Sequence, residues 1–195
     1  MLRHDPTPVA EPFTNEDPGP AADRPQDGLA REAPPAGEDP SRLSGPELVA
    51  LVVERHHAYA RRALPYVVAL LGKVTARHRA RNAKLATLCD AGEELADALE
   101  SCQDEEERDL FPALAAGVPV GEAVRLKLDA MYRRHRELRL LLVRIRWLAD
   151  DFTVPDWAGR TYGVLMEELE ALEANLLEHI HLERVLLGPR LSCLC

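Results

Sequence analysis

From Ser44 onward the chain consists of four stretches of roughly thirty residues in which apolar side chains recur every third or fourth position, the period of an amphipathic helix. Short links join them, and this is what most constrains the fold. Helix A is expected over 45–77, with Ser44 as its cap, Pro46 in its first turn and Glu47 completing a capping box. Helix B is expected over 80–112, ending at Phe111-Pro112, and helix C over 120–150, after a GVPVG turn. Helix D is expected over 156–187, beginning near Pro155 and ended by Gly188-Pro189. Pro65 removes a backbone donor inside helix A and is expected to kink it. Links this short oblige neighbouring helices to run antiparallel. The expected fold is therefore all-α, an up-down-up-down four-helix bundle.

The first 43 residues read differently. Nine of the fifteen prolines fall within the first 40 residues, among Asp, Glu, Gly and Ala. Such a composition cannot bury enough apolar surface to offset the entropy of ordering it. A disordered Pro-rich leader is expected over 1–43, the bundle over 44–190 and a short tail over 191–195.

Reading each helix in alternating steps of three and four isolates its buried seam. Helix A gives Val53, His57, Ala60, Leu64 and Val67; helix B gives Leu85, Leu88, Gly92, Leu95, Leu99, Cys102, Glu106 and Leu110. Helix C gives Val124, Leu128, Met131, His135, Leu138, Leu142 and Ile145; helix D gives Leu165, Leu169, Leu172, Leu176, His179, Glu183 and Leu186. Every seam carries one or two polar residues of metal-ligand type. His57 and His135 lie early in their helices, whereas Cys102 and His179 lie late in theirs, so antiparallel packing brings all of them to one end of the bundle. Three imidazoles, two carboxylates and a thiol in one core would be costly as bare polar groups, and a transition metal offsets that cost by accepting their lone pairs. The expected metal ligands are His57, Cys102, Glu106, His135, His179 and Glu183. Imidazole with carboxylate suits iron, or manganese or zinc by substitution.

Other polar residues are assigned bland roles. His181, two residues from His179, points some 200° away around the helix and is expected at the surface or behind the ligands, as is His56 beside His57. His78, in the last turn of helix A, suits a capping or mouth position. Glu54-x-x-His57 and Glu178-x-x-His181 match another two-metal helical spacing, but Glu178 and His181 flank the seam of helix D rather than lie on it. Cys193 and Cys195 form a terminal C-x-C pair, a weak metal or redox signal.

A formal charge of −9 excludes the basic footprint of a nucleic-acid-binding domain. The sequence has neither an 18-residue apolar run nor the apolar core of a signal peptide, so no membrane span and a cytoplasmic location are expected. Four unevenly spaced cysteines fit a reducing compartment.

Three segments carry a resemblance: HHAYARRALPYVVALLGKVTARH at 56–78, EEERDLFP at 105–112 and HIHLERVLLGP at 179–189. Together they resemble the hemerythrin-like (HHE cation-binding) domain, and within it the iron-sulfur cluster repair di-iron proteins, over residues 46–190. The resemblance implies two non-haem iron ions held by four histidines and two glutamates. It aligns His57, Glu106 and His135 with first-, second- and third-helix ligands, and His179 and Glu183 with the fourth-helix pair. It implies as partners a small diatomic molecule, O2 or NO, and damaged iron-sulfur proteins. The function implied is repair of iron-sulfur clusters under nitrosative or oxidative stress; the alternatives are O2 or NO binding without turnover and a metal-poor bundle serving as an interaction module. Two departures stand out. Cys102 replaces the family's second-helix histidine, which leaves three outcomes open: a thiolate-bound iron, a water in the vacant position, or a single ion. Gly188-Pro189 replaces Phe-Pro on the fourth helix.

Overall fold

The computed structural model describes residues 39–116 and 121–193. Most of the expected leader, most of the GVPVG turn, and the side chains of Leu186 and of the Cys193/Cys195 pair lie outside the described residues. Four helical rods pack antiparallel, up, down, up, down, and the described residues contain no strand.

The first rod joins α1 (Gly45–Leu51), a π-helical turn (Val52–His57) and α2 (Ala58–His78). Its start is the expected capping box: the Glu47 carboxylate accepts from the Ser44 amide at 2.7 Å, and the Glu47 amide donates back to Ser44 Oγ. α2 continues through Pro65. The second rod joins α3 (Lys84–Glu105), a π turn (Glu106–Leu110) and α4 (Phe111–Ala116). The third is α5 (Glu122–Leu148), and the fourth joins α6 (Arg160–Leu182), a π turn (Glu183–Leu187) and α7 (Gly188–Cys193).

Two expected helix ends are therefore corrected. Phe111-Pro112 and Gly188-Pro189 do not terminate their rods, because each proline follows a π turn. There the backbone amide before the proline reaches five residues back, Phe111 to the Glu106 carbonyl and Gly188 to the Glu183 carbonyl. A proline inside an α-helix loses a hydrogen bond and collides with the carbonyl four residues earlier. The wider turn relieves that collision, and each proline then sits in the first turn of the resumed α-helix, where its missing N–H matters least.

The seams hold as core. A large apolar cluster that includes Leu71, Leu88, Leu95, Leu142, Leu165 and Leu172 fills one part of the bundle. A smaller cluster of Leu48, Val52, Leu110, Phe111, Leu128, Met131 and Leu182 fills the other. Gly92 makes room within the first: a Cβ there would stand 2.2 Å from a Leu71 methyl. After α5 the chain reverses through three consecutive left-handed residues, Asp150, Asp151 and Phe152, with φ of 50°, 53° and 59°. Each costs roughly 1–2 kcal/mol outside glycine, and burial of the Phe152 ring beneath the Arg146 guanidinium, 4.7 Å from its centroid, offsets part of that. Among the described residues no helix is long and apolar enough to cross a membrane.

Candidate metal centre

Between the two apolar clusters lies a layer of buried polar side chains, and all six expected ligands are in it: His57, Cys102, Glu106, His135, His179 and Glu183. The π turns explain how. Each begins or ends on an expected ligand, His57 in the first rod, Glu106 in the second and Glu183 in the fourth, so the extra residue per turn is inserted where the polar layer crosses the bundle. In the first rod the insertion shifts the register. Val52 rather than Val53 is buried at its start, and His56 and His57 are both buried at its end.

The donors form two groups that share Glu106: His57, Glu106, His179 and Glu183 in one, Cys102, Glu106 and His135 in the other, each with its ligand atoms within 4.8 Å of one another. In the first group, the Nε2 atoms of His57 and His179 are 3.2 Å apart, and His179 Nε2 is 3.1 Å from Glu183 Oε1. In the second, Cys102 Sγ donates to Glu106 Oε1 at 3.0 Å, and His135 Nε2 stands 3.0 Å from the same oxygen. Glu183 reaches across, its Oε2 3.1 Å from His135 Nε2. The two carboxylates thus stand between an imidazole pair on one side and an imidazole with a thiol on the other.

The donor set fits a cation. Glu106 Oε2 and both carboxylate oxygens of Glu183 are buried without a well-directed hydrogen bond among the described residues. Orphaned anionic oxygens in a dry layer are among the costliest groups a core can contain. Burial and the neighbouring Glu183 charge push the Glu106 carboxyl up from its ordinary pKa. Burial would also raise Glu183, but the His179 and His135 charges beside it outweigh that and hold its carboxyl well below the carboxylate range. Burial, reinforced by Glu106, keeps the Cys102 thiol protonated well above its usual pKa. Two like charges so close need a counter-charge between them.

Glu107 is a residue of the candidate centre that the seam reading missed. Its Oε1 lies 2.7 Å from His57 Nδ1 and 2.8 Å from an Arg61 guanidinium nitrogen. A carboxylate only accepts, so Nδ1 carries the proton and the Nε2 lone pair faces the centre. This is the arrangement by which a carboxylate orients a metal-binding histidine. The signal was Arg61 four residues after His57, on the same helix face.

The remaining histidines divide. Of the two places expected for it, His56 takes the one behind the expected ligands: it is fully buried and stacked on His179 with ring centroids 5.8 Å apart, its Nδ1 3.4 Å from Asn175 Oδ1. The π turn brings it inward. His181, Glu54 and Glu178 are exposed, which disposes of the rival spacing. His78 packs against Trp157 and Tyr162 at the far end of α2. At Gly188 a Cβ would come within 1.8 Å of the Tyr132 hydroxyl, so Tyr132 from the third rod takes the space that a side chain on the fourth would need.

The metal-free centre makes stability pH-dependent. Burial and the His179 charge hold His57 at about 4 when folded, against 6.5 ordinarily. Between those values the unfolded chain binds the proton better, so stability falls as pH drops through that window. His56, also held at about 4 by burial, acts the same way. Burial alone would lower His135, but hydrogen bonds to Glu106 and Glu183 carry it up to about 9. Its contribution is complete below pH 6.5 and is lost as pH rises from 6.5 to about 9. Urea midpoints of the metal-free protein are expected to peak near pH 6.5 and fall on both sides. A midpoint that climbs steadily from pH 6.5 to 9 would contradict the His135 pairing.

Comparison with known proteins agrees with this geometry. The profile of the Hemerythrin HHE cation binding domain matches residues 50–191. An iron-sulfur cluster repair protein YtfE of Edwardsiella ictaluri (strain 93-146) is 34% identical over 144 residues, 74% of this chain and 64% of the relative. That of Musicola paradisiaca (strain Ech703) is 30% identical over the same shares, and that of Dickeya chrysanthemi (strain Ech1591) is 29% identical over 80% of this chain and 70% of its own. The chain spans 64% of the length of the first two.

Proposed function

We propose, from the premise that this chain belongs to the Hemerythrin HHE cation binding domain family, that it is a non-haem iron protein that supports the repair of damaged iron-sulfur clusters. The observation that carries this reading is the pair of donor groups sharing Glu106, which would offer donors to two ions. His57 and His179 would serve one ion, Cys102 and His135 the other, with Glu106 and Glu183 between them. Bound iron would supply redox chemistry and affinity for small diatomic molecules. The chain's own contribution is to keep the His57 lone pair aimed inward through Glu107, to counter the charge with two carboxylates, and to exclude water with apolar clusters on both sides. The similarity to repair proteins supports damaged iron-sulfur proteins as partners, and four unevenly spaced cysteines suit a reducing, cytoplasmic setting.

The test pairs iron content with repair. After anaerobic loading with ferrous iron, the protein should carry bound iron and restore the cluster absorbance of a nitric-oxide-damaged iron-sulfur enzyme faster than the same amount of free iron. The His57→Ala/Glu183→Ala double variant should do neither. Recovery no better than free iron would remove the repair reading. A reversible spectral change under NO without any repair would instead favour the binding protein without turnover. A cavity beside Cys102 and Glu106 gives that second reading its support.

A further inference from the structure

The two donor groups are chemically unequal. One presents imidazole nitrogens and carboxylate oxygens, all fully or almost fully buried: His57, Glu106, His179 and Glu183. The other includes a soft sulfur. Cys102 Sγ and His135 Nε2 both stand 3.0 Å from Glu106 Oε1. Bond lengths of roughly 2.0–2.3 Å to nitrogen, oxygen and sulfur put neighbouring ligands about 3.3–3.8 Å apart in a tetrahedral site. Both contacts to Glu106 Oε1 are near that spacing and all three ligand atoms lie within 4.8 Å of one another, so the shorter cysteine side chain does reach.

The second group also has a way out. A cavity of about 40 Å³ is lined by Cys102, Glu106 and Met131, with Arg134 and Glu105 at one part of its wall and Lys127 and Asp109 at another. Two ion pairs span it, Arg134 with Glu105 and Lys127 with Asp109, the latter at 2.9 Å. A single water needs roughly 10–15 Å³ by the same kind of measure, so the cavity admits a small molecule or a hydrated ion passing through.

We infer that the Cys102–Glu106–His135 group is a distinct, sulfur-ligated cation position that prefers thiophilic divalent ions and exchanges its ion through this cavity, whereas the His57–His179 position is a slowly exchanging one. Thiolate and imidazole together select zinc- or cobalt-like ions over harder ones. As the metal–sulfur bond forms, the thiol releases its proton to solvent, and the thiolate charge stays on the metal. This inference rests on the reading of the layer as a metal centre, and the test separates the two.

The experiment titrates cobalt(II) alone into the full metal-free chain and follows near-ultraviolet absorbance together with bound cobalt. A sulfur-to-cobalt charge-transfer band should grow to saturation with one equivalent. Cys102→Ser and Cys102→Ala should each lose the band and that equivalent while keeping helical circular dichroism, and His57→Ala should keep the band. When a chelator is added, the band should decay in the faster phase of cobalt release. Cobalt bound without such a band, or a band that survives Cys102→Ser and so belongs to another cysteine, would overturn the inference and leave the metal centre standing. Decay in the slower phase would overturn exchange through the cavity. A chain that binds no cobalt and no iron would overturn both.

Discussion

Replacing Glu183 with alanine is expected to eliminate cation uptake at both positions and to destabilise the metal-free bundle by about 3–5 kcal/mol, the usual consequence of removing one partner from a buried ionic cluster. The carboxylate has no solvent exposure and stands 3.1 Å from imidazoles of two different rods, His135 and His179. Without it those rings keep Glu106 as their one carboxylate within 4 Å among the described residues, 3.0 Å from His135 and 3.9 Å from His179. One effect opposes the loss. Removing Glu183 relieves the repulsion that raises the Glu106 pKa, so Glu106 ionises more readily and takes over part of the pairing. Two close contacts are lost and one repulsion is relieved, so destabilisation wins. Glu183→Gln separates charge from shape: it should fill the same space yet still lose the metal. Urea unfolding and metal analysis read the two effects independently, and an alanine variant with full metal content would show that Glu183 is no ligand.

The same residues mark how far the sequence could be read. The seams of helices B and C survive almost position for position, because α3 as far as Glu105 and the whole of α5 keep the three-and-four step that defines a face; Leu85 through Cys102, and Leu128 through Ile145, are buried as expected, and Glu106 and Leu110 are buried at the two ends of the π turn. The height argument that gathered six donors from four helices rests on the same regularity. What it missed lies where the helices stop being regular. An α-helical period places His57 inward and His56 aside, whereas the π turn over Val52–His57 turns both inward. Phe111-Pro112 and Gly188-Pro189 look like stops under α-helical rules and become passable only through π turns that begin on Glu106 and Glu183. A glutamate six residues before a proline occurs in both rods, so the repeat was visible, but its meaning depends on tertiary packing that strains the helices open at the polar layer. Glu107 was hidden for a related reason: it lies off the seam and acts sideways on a ligand of another rod.

Stripping the metal should leave the fold intact and lower its stability by an amount that depends on free metal concentration. For a thousandfold excess over the dissociation constant the loss is about 4 kcal/mol, and at 2–4 °C per kcal/mol for a chain of this size it corresponds to a fall in Tm of roughly 8–16 °C. The bundle should not unfold outright, as small zinc domains do, because the larger apolar cluster, which meets the polar layer at Cys102, draws its members from all four rods, and the donors pair with one another when no ion is present. A comparison of variants separates linkage from general weakening. Leu165→Ala, deep in the larger cluster and without solvent exposure, should cost about 2–5 kcal/mol with or without metal. Its effect and that of stripping should therefore add, since Leu165 precedes His179 by 14 residues on the same helix, about 21 Å along its axis. Glu183→Ala should not add, because a chain that has lost the ligand has no metal left to lose; its Tm should be the same before and after chelation. If chelation lowers the Tm of Glu183→Ala as much as that of the wild type, the stabilising ion is bound elsewhere, and the polar layer between the two clusters is not its site.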